Sequence, residues 1–333
     1  MIDGAPGDAE FGFELVTCRW AERAWPPDRD TATVPVVARQ LGTRNRRWDT
    51  VVVEADPEGL AARAAFGEGA LDSDLLHVVR NAPTDWAWYR DALPDPDYPW
   101  RYVRAAVHRA DARGIVDTKR DGNRIRIRQV EPYPDWVCRL VAVENKPDLS
   151  ASAARALVDQ LDHDVSAALA DEVWVATAST GETVEPALFE GLPVEAGVLA
   201  LSLDGEGVDS RVVWHPATLD PAAEASSPPA DRESKRLELA ERAYGSGWRS
   251  YVETMRPDCR WFRLRESADA FVPWCAEKEC HQTAAECAGD CPGFEPEPPA
   301  WRTHGWPIEG GPGKGIQRLL ARRRRRQRRP DGE

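Results

Sequence analysis

The string Arg139-Leu-Val-Ala-Val-Glu144-Asn145-Lys146-Pro147 constrains this chain more than any other. Its apolar, β-branched run reads as a strand. The run stops at a Glu-x-Lys step, and an alanine-rich stretch with helical character follows. Side chains two residues apart on a strand share a face. The spacing therefore predicts the Glu144 carboxylate and the Lys146 ammonium on the same side of a sheet. Upstream, Arg47-Trp48-Asp49-Thr50-Val51-Val52-Val53 sets a second carboxylate at the edge of another strand-like run. A second Glu-x-Lys, Glu233-Ser234-Lys235, has neither a strand before it nor acidic residues upstream on a strand, and it carries no expectation.

The surrounding pattern is that of an α/β chain. Glu10 to Trp25 reads as a helix with Phe11, Leu15, Cys18 and Ala21 or Trp25 near one face, ended by Pro26 and Pro27. Val34–Leu41 and Trp48–Ala55 read as strands joined by a polar turn, and Val137–Glu144 as a third. Ser150–Ala170 reads as a helix with Ser150 as its N-cap, and Glu172–Thr177 as a fourth strand. Gly197–Leu203 and Ser210–Trp214 extend the sheet. Residues 10–56 and 131–215 thus form one α/β core, with residues 1–9 read as disordered.

Residues 57–130 interrupt that core and are too long for a loop. Asp74–Asn81, Thr84–Ala92 and Trp100–Arg113 read as three helices. Residues 114–128 read as a hairpin turning at Asp121-Gly122-Asn123. Three helices and a basic hairpin are similar to a winged-helix module. In that likeness Tyr102–Arg113 is the recognition helix and the hairpin the wing, with Arg104, Arg109, Arg113, Lys119, Arg124 and Arg126 as nucleic-acid contacts. The bland alternative is a small helical lid with a solvated hairpin.

The core resembles the PD-(D/E)xK nuclease superfamily, whose element order is also helix, three strands, helix, strand. The resemblance spans residues 10–180. It implies a restriction-endonuclease-like fold and a phosphodiesterase whose Mg²⁺ is held by Asp49 and Glu144. It further implies Lys146 orienting the attacking water and Glu14 as the acidic residue of the first helix. Magnesium fits this donor set because it takes oxygen ligands and keeps several waters. It lowers the pKa of a bound water and offsets charge developing on phosphorus. Some members carry Gln and then Tyr on the helix after the Lys, where this chain has Gln160 and Asp164. The whole chain is also similar to a haloarchaeal protein family, through Phe11-Gly-Phe-Glu-Leu15, Tyr98-Pro-Trp100, Val143-Glu-Asn-Lys-Pro-Asp148 and the stretch 301–312.

Five cysteines, Cys259, Cys275, Cys280, Cys287 and Cys291, lie within 33 residues in a chain otherwise read as cytoplasmic. That crowding points to metal rather than disulfides. Four thiolates suit tetrahedral Zn²⁺ or an iron–sulfur cluster, and residues 234–312 read as the module that holds it. Residues 216–233, rich in Pro, Ala and Ser, read as a linker. Residues 313–333 form a basic tail with seven Arg between 322 and 329, able to hold phosphates. Gly310-Gly-Pro-Gly-Lys314-Gly lacks the spacing and the Ser or Thr of a phosphate loop.

Composition supports an unusual solvent. The net charge is −13, yet only five of the 43 basic residues are Lys. An acidic, arginine-rich chain suits high salt, while a GC-rich genome also favours Arg codons. No stretch reaches the roughly 20 apolar residues of a membrane span, and no signal peptide opens the chain. The expected partner is nucleic acid, DNA before RNA. A DNA-binding regulator without catalysis is the alternative.

Overall fold

The computed structural model describes residues 6–29, 31–96, 98–179, 190–204, 207–219, 229–249, 257–267, 270–282, 291–297 and 300–302. The chain is mixed α/β. Helix α1 (Pro6–Ala24) is followed by strands β1 (Val34–Gly42) and β2 (Arg47–Ala55). After the insertion come β6 (Val137–Asn145), helix α6 (Ala151–Ala167), β7 (Glu172–Ala178), β8 (Gly197–Asp204) and β9 (Gly207–Trp214). These strands form one six-stranded sheet in the order β1-β2-β6-β7-β8-β9. The first three are antiparallel, β6, β7 and β8 are parallel, and β9 returns antiparallel.

Period-two alternation sorts the two faces. On β7, Trp174 and Ala176 join the core beneath α1, beside Trp20 and Trp25. Val173 and Val175 on the same strand pack with Leu157 and Leu161 of α6 on the other face. Strand β6 is buried from Leu140 to Asn145, which is why its sequence is a continuous apolar run rather than an alternating one. Pro35 sits on the edge strand β1, where a missing N–H costs no ladder bond. Ser150 caps α6, its Oγ accepting from the Ala153 N–H at 3.3 Å.

The insertion leaves and rejoins the sheet at neighbouring points, tied by the Asp56 N–H donating to the Trp136 carbonyl at 2.9 Å. It contains α2 (Pro57–Arg63), a 3₁₀ turn over Ala64–Phe66, α3 (Ser73–Asn81), β3 (Ala87–Trp88), α4 (Tyr89–Ala92), α5 (Trp100–Arg113), β4 (Val116–Asp121) and β5 (Arg124–Gln129). The strands form a separate sheet, β3-β5-β4, over a separate core of Leu75, Val79, Val103, Val107 and Ile127. Sequence reading expected a helix over 84–92. There, a two-residue strand pairs with β5 and only one helical turn follows, because the wing recruits Ala87 and Trp88 as a third strand. Sequence reading also missed α2.

Helix α7 (Pro229–Ser246) takes the last five residues of the expected linker and packs Leu239, Ala240, Ala243 and Tyr244 into the main core. It also meets the insertion. The Arg63 guanidinium and the Glu241 carboxylate form a wholly buried pair, in which Nη2 lies 2.5 Å from Oε2. Glu241 also accepts from the Tyr133 hydroxyl at 2.7 Å and the Leu71 N–H at 2.8 Å. A Cβ on Gly245 would stand 2.5 Å from the Ala70 nitrogen, so this approach requires glycine. Beyond α7 lie β10 (Phe262–Ser267), β11 (Ala270–Cys275) and β12 (Cys280–His281), a small antiparallel sheet. Among the described residues no helix is long and apolar enough to cross a membrane. Residues 1–5 of the N-terminal segment expected to be disordered lie outside the described residues. So do residues 220–228 of the expected linker, Gly310–Gly315 and the basic tail. Residues 6–9 belong to α1.

Candidate functional site

The β2–β6 ladder runs from Ala55 opposite Val137 to Thr50 opposite Val143. Asp49 and Glu144 come next, side by side where the ladder ends. The Asn145 N–H donates to Asp49 Oδ2 at 2.9 Å, and the Asn145 side-chain amide donates to Thr50 Oγ1 at 2.9 Å. On α1, Glu14 joins them through Gln40. The Gln40 Nε2 donates to Glu14 Oε2 at 2.9 Å and to Asp49 Oδ1 at 3.2 Å. Gln40 does this from the left-handed region, φ 52°, a conformation that costs a non-glycine residue about 1–2 kcal/mol. Such outliers persist where surroundings over-determine them, and here two carboxylates hold the amide. Arg39 adds a bond to Glu14 Oε1 at 3.2 Å.

Three carboxylates thus converge at one end of the sheet, and burial with mutual repulsion governs their protonation. Glu144, 5 % exposed, is pushed up to about 7 by burial first and then by the Asp49 charge, with Arg46 opposing. Burial also raises the Glu14 carboxyl; Arg39 and Gln40 oppose that and Asp49 reinforces it. Two buried acids held above their ordinary range leave the cluster short of positive charge.

Arg46 supplies part of it. The turn between β1 and β2 is closed by the Thr43 N–H donating to the Arg46 carbonyl at 2.7 Å and the Arg46 N–H donating to Thr43 Oγ1 at 3.2 Å. A Cβ on Gly42 would lie 2.1 Å from the Arg46 carbonyl oxygen, so only glycine permits the turn. This turn aims the Arg46 guanidinium at Glu144 and, in a forked contact at 2.7–3.1 Å, at Asp164 of α6. Asp164, 2 % exposed, thereby enters the site. Arg46 and Gln40 were not anticipated from sequence, because their partners are side chains on other elements.

Lys146 departs from the expectation that it stands beside Glu144. It lies one residue past β6, released from the pleat, and its Nζ bonds Glu10 Oε1 of α1 at 3.0 Å. The cation on Glu144 is Arg46.

As the side chains stand, no three His, Cys, Asp or Glu groups among the described residues are arranged to hold a metal ion. By chemistry the donor set fits magnesium, offering only oxygen at Glu14, Asp49 and Glu144. Asn145 Oδ1 adds a buried acceptor without a hydrogen-bond partner in the same cluster. Gln40 bridges Glu14 and Asp49, and Arg46 occupies Glu144.

The expected nucleic-acid residues divide in two. Arg109 pairs with Asp72 and Asp74, and Arg113 donates to the carbonyls of Phe66, Gly69 and Ala70. Both hold the insertion together rather than face a ligand. Arg104 is exposed, with no ion pair among the described residues. On the wing, Lys119 lies 4.2 Å from the Trp86 ring centroid and Arg124 4.6 Å from that of Trp88, while Arg126 pairs with Asp121 at 3.3 Å.

The cysteines gather without closing. Cys275 pairs with Cys280 across β11 and β12, and Cys259 bridges to Pro296. Burial raises the Cys259 thiol, with Cys275 close enough to add to the effect. Cys291 accepts from the Lys278 ammonium; slight burial opposes the Lys278 charge, but this bond and the neighbouring Cys275 and Cys280 raise the Lys278 pKa. A cation therefore sits among sulfurs that sequence reading assigned to a metal. Cys287 lies outside the described residues.

A sequence model described as "Family of unknown function (DUF5787)" matches residues 36–296. The match begins within β1 and runs past the last described cysteine, and the chain belongs to that family. No curated protein and no solved structure matches it.

Proposed function

We propose that this member of the DUF5787 family is a magnesium-dependent phosphodiesterase acting on nucleic acid, built on a restriction-endonuclease-like core. The observation that carries the reading is the gathering of Glu14, Asp49 and Glu144 at one sheet end, with Arg46 on Glu144 and Lys146 one residue past β6 on Glu10. The order α1, β1, β2, β6, α6, β7 and the likeness to PD-(D/E)xK nucleases support it. Asp49 and Glu144 would hold the metal with Glu14, and a bound magnesium would activate water and offset charge on phosphorus.

The chain's own groups supply the rest. Asp164 grips Arg46 with a fork, so the guanidinium can release Glu144 without leaving the site. A freed Nη2 is then a donor for a phosphate oxygen. Lys146, held by Glu10, is a second cation able to orient water or meet the phosphate. Elements α3 to β5, with β3 as third strand, support a winged-helix reading of the insertion. In it Arg104, Lys119 and Arg124 make phosphate contacts, and Trp86 and Trp88 stiffen the wing. The cysteines would hold structural Zn²⁺ or an iron–sulfur cluster once Lys278 withdraws; elemental analysis and the visible spectrum of purified protein distinguish these.

The test is a cleavage assay in molar KCl with Mg²⁺ or Mn²⁺ on single-stranded, duplex and branched DNA. Metal-dependent cleavage is expected, lost at least about a hundredfold in Glu144→Ala and Lys146→Ala. A folded, metal-loaded protein that cuts none of these substrates overturns the reading and leaves DNA binding without catalysis.

A further inference from the structure

Away from the carboxylate cluster, a cavity of about 530 Å³ opens between α1, the segment after α7 and the start of β10. Five arginines line it: Arg19 and Arg23 of α1, Arg249, Arg260 and Arg263. Trp248 forms part of its wall, and Glu297 is the carboxylate on its lining. The volume falls within the 300–1,000 Å³ of small-molecule pockets.

These arginines are not equivalent. Arg249 pairs with Glu22 at 3.2 Å and with Glu297 at 3.3 Å, and Arg260 pairs with Glu295 at 2.8 Å. Arg263 donates to the carbonyls of Arg260 and Phe262. Arg19 and Arg23 have no hydrogen-bond or ion-pair partner among the described residues. They stand four apart on α1, where like charges repel. Burial lowers the Arg19 pKa, and Arg23, Arg263 and Arg249 add to the effect, with Glu297 opposing. Trp248 Nε1 and Arg249 Nε are buried donors without partners. A chain of net charge −13 has carboxylates to spare, yet it brings five arginines to one concavity and leaves two of them without an ion pair among the described residues.

We propose that this cavity binds vicinal phosphate groups, with Arg19 and Arg23 as the anion-binding pair and Arg249, Arg260 and Arg263 as the surrounding positive wall. Guanidinium forks match phosphate oxygens in pairs. The cavity is larger than one phosphate needs, so the ligand carries at least two. A nucleoside diphosphate and the backbone of a nucleic-acid strand share this chemistry. The proposal does not rest on the phosphodiesterase reading. Arg19 follows Glu14 by five residues on α1, about 8 Å along the axis at 1.5 Å per residue, and points to a different face of the helix.

Calorimetry on the full chain tests it, with pyrophosphate, ADP and a single-stranded oligonucleotide with and without a 5′-phosphate, in 0.1 M and 1 M KCl. Pyrophosphate is expected to bind, more weakly at high salt. The double variant Arg19→Gln/Arg23→Gln should lose at least about tenfold in affinity while keeping or raising its thermal midpoint, since it removes repulsion. Asp49→Asn should bind pyrophosphate like wild type, so failure of the nuclease reading would leave this result intact. ADP binding tighter than the oligonucleotide identifies a nucleotide ligand; an oligonucleotide binding tighter irrespective of its terminal phosphate identifies a strand. No binding by the wild-type protein, or equal binding by the double variant, overturns the proposal.

Discussion

Glu144 ionises against burial and against Asp49, helped only by Arg46. Its folded pKa, about 7, lies above the ordinary carboxylate value of 4.5. Between those values the folded chain holds a proton that the unfolded chain releases, so stability falls as pH rises through that window. The metal-free protein should lose on the order of 3 kcal/mol from pH 4.5 to 7 through this group. Thermal melts at stepped pH check it, and Glu144→Gln should flatten the slope. Replacing Arg46 acts on the other partner. Arg46→Ala leaves Asp164 buried without a cation, a loss on the order of 3–5 kcal/mol, read as a drop in denaturant midpoint. Neither Arg46 nor Gln40 could be read from sequence. Asp49 and Glu144 announce themselves by ending apolar runs, but Arg46 is one arginine among many in a polar turn, and its partners lie 98 and 118 positions away.

At the scale of elements, legibility follows how local the cause is. The central strands were readable because burial on both faces leaves runs such as Val51-Val52-Val53 and Leu140–Val143. Helix α5 was readable from its buried spacing, Val103, Ala106, Val107 and Ala110, and from Gly114, which ends it at φ 70°. Helix α4 was over-read because pairing of β3 with β5 is a tertiary event. Helix α2, which carries Arg63 to Glu241, was missed although Asp56 caps it and Pro57 opens it, because it spans only seven residues. Glu241→Leu should cost about 3–5 kcal/mol, because it strands a buried guanidinium and removes the acceptor for Tyr133 and Leu71. Adding Arg63→Met should recover much of that loss. Chemical denaturation of the single and double variants measures both, and a double variant no better than the single would refute the account.

For the molecule as a whole, a net charge of −13 makes stability depend on salt. Raising KCl from 0.1 M to 1 M shortens the Debye length from about 10 Å to about 3 Å. Repulsion among the surplus carboxylates then fades, and the thermal midpoint should rise. A midpoint indifferent to salt would mean that the arginine-rich composition reflects codon usage alone. The α/β architecture was legible at this scale, since each core element carries its own pattern. How the insertion is fixed to the core was not, because α7 makes that joint from the far side of the sequence. Glu241 follows Arg63 by 178 positions. A ribosome adding 5–20 residues per second needs roughly 10–35 s to cover that interval. During it the rest of the insertion and strands β6 to β9 are made, while Arg63 waits without its carboxylate. The nascent chain therefore stays unlatched until α7 emerges, and truncations before residue 241 should behave as tethered halves rather than as a shortened version of the same protein.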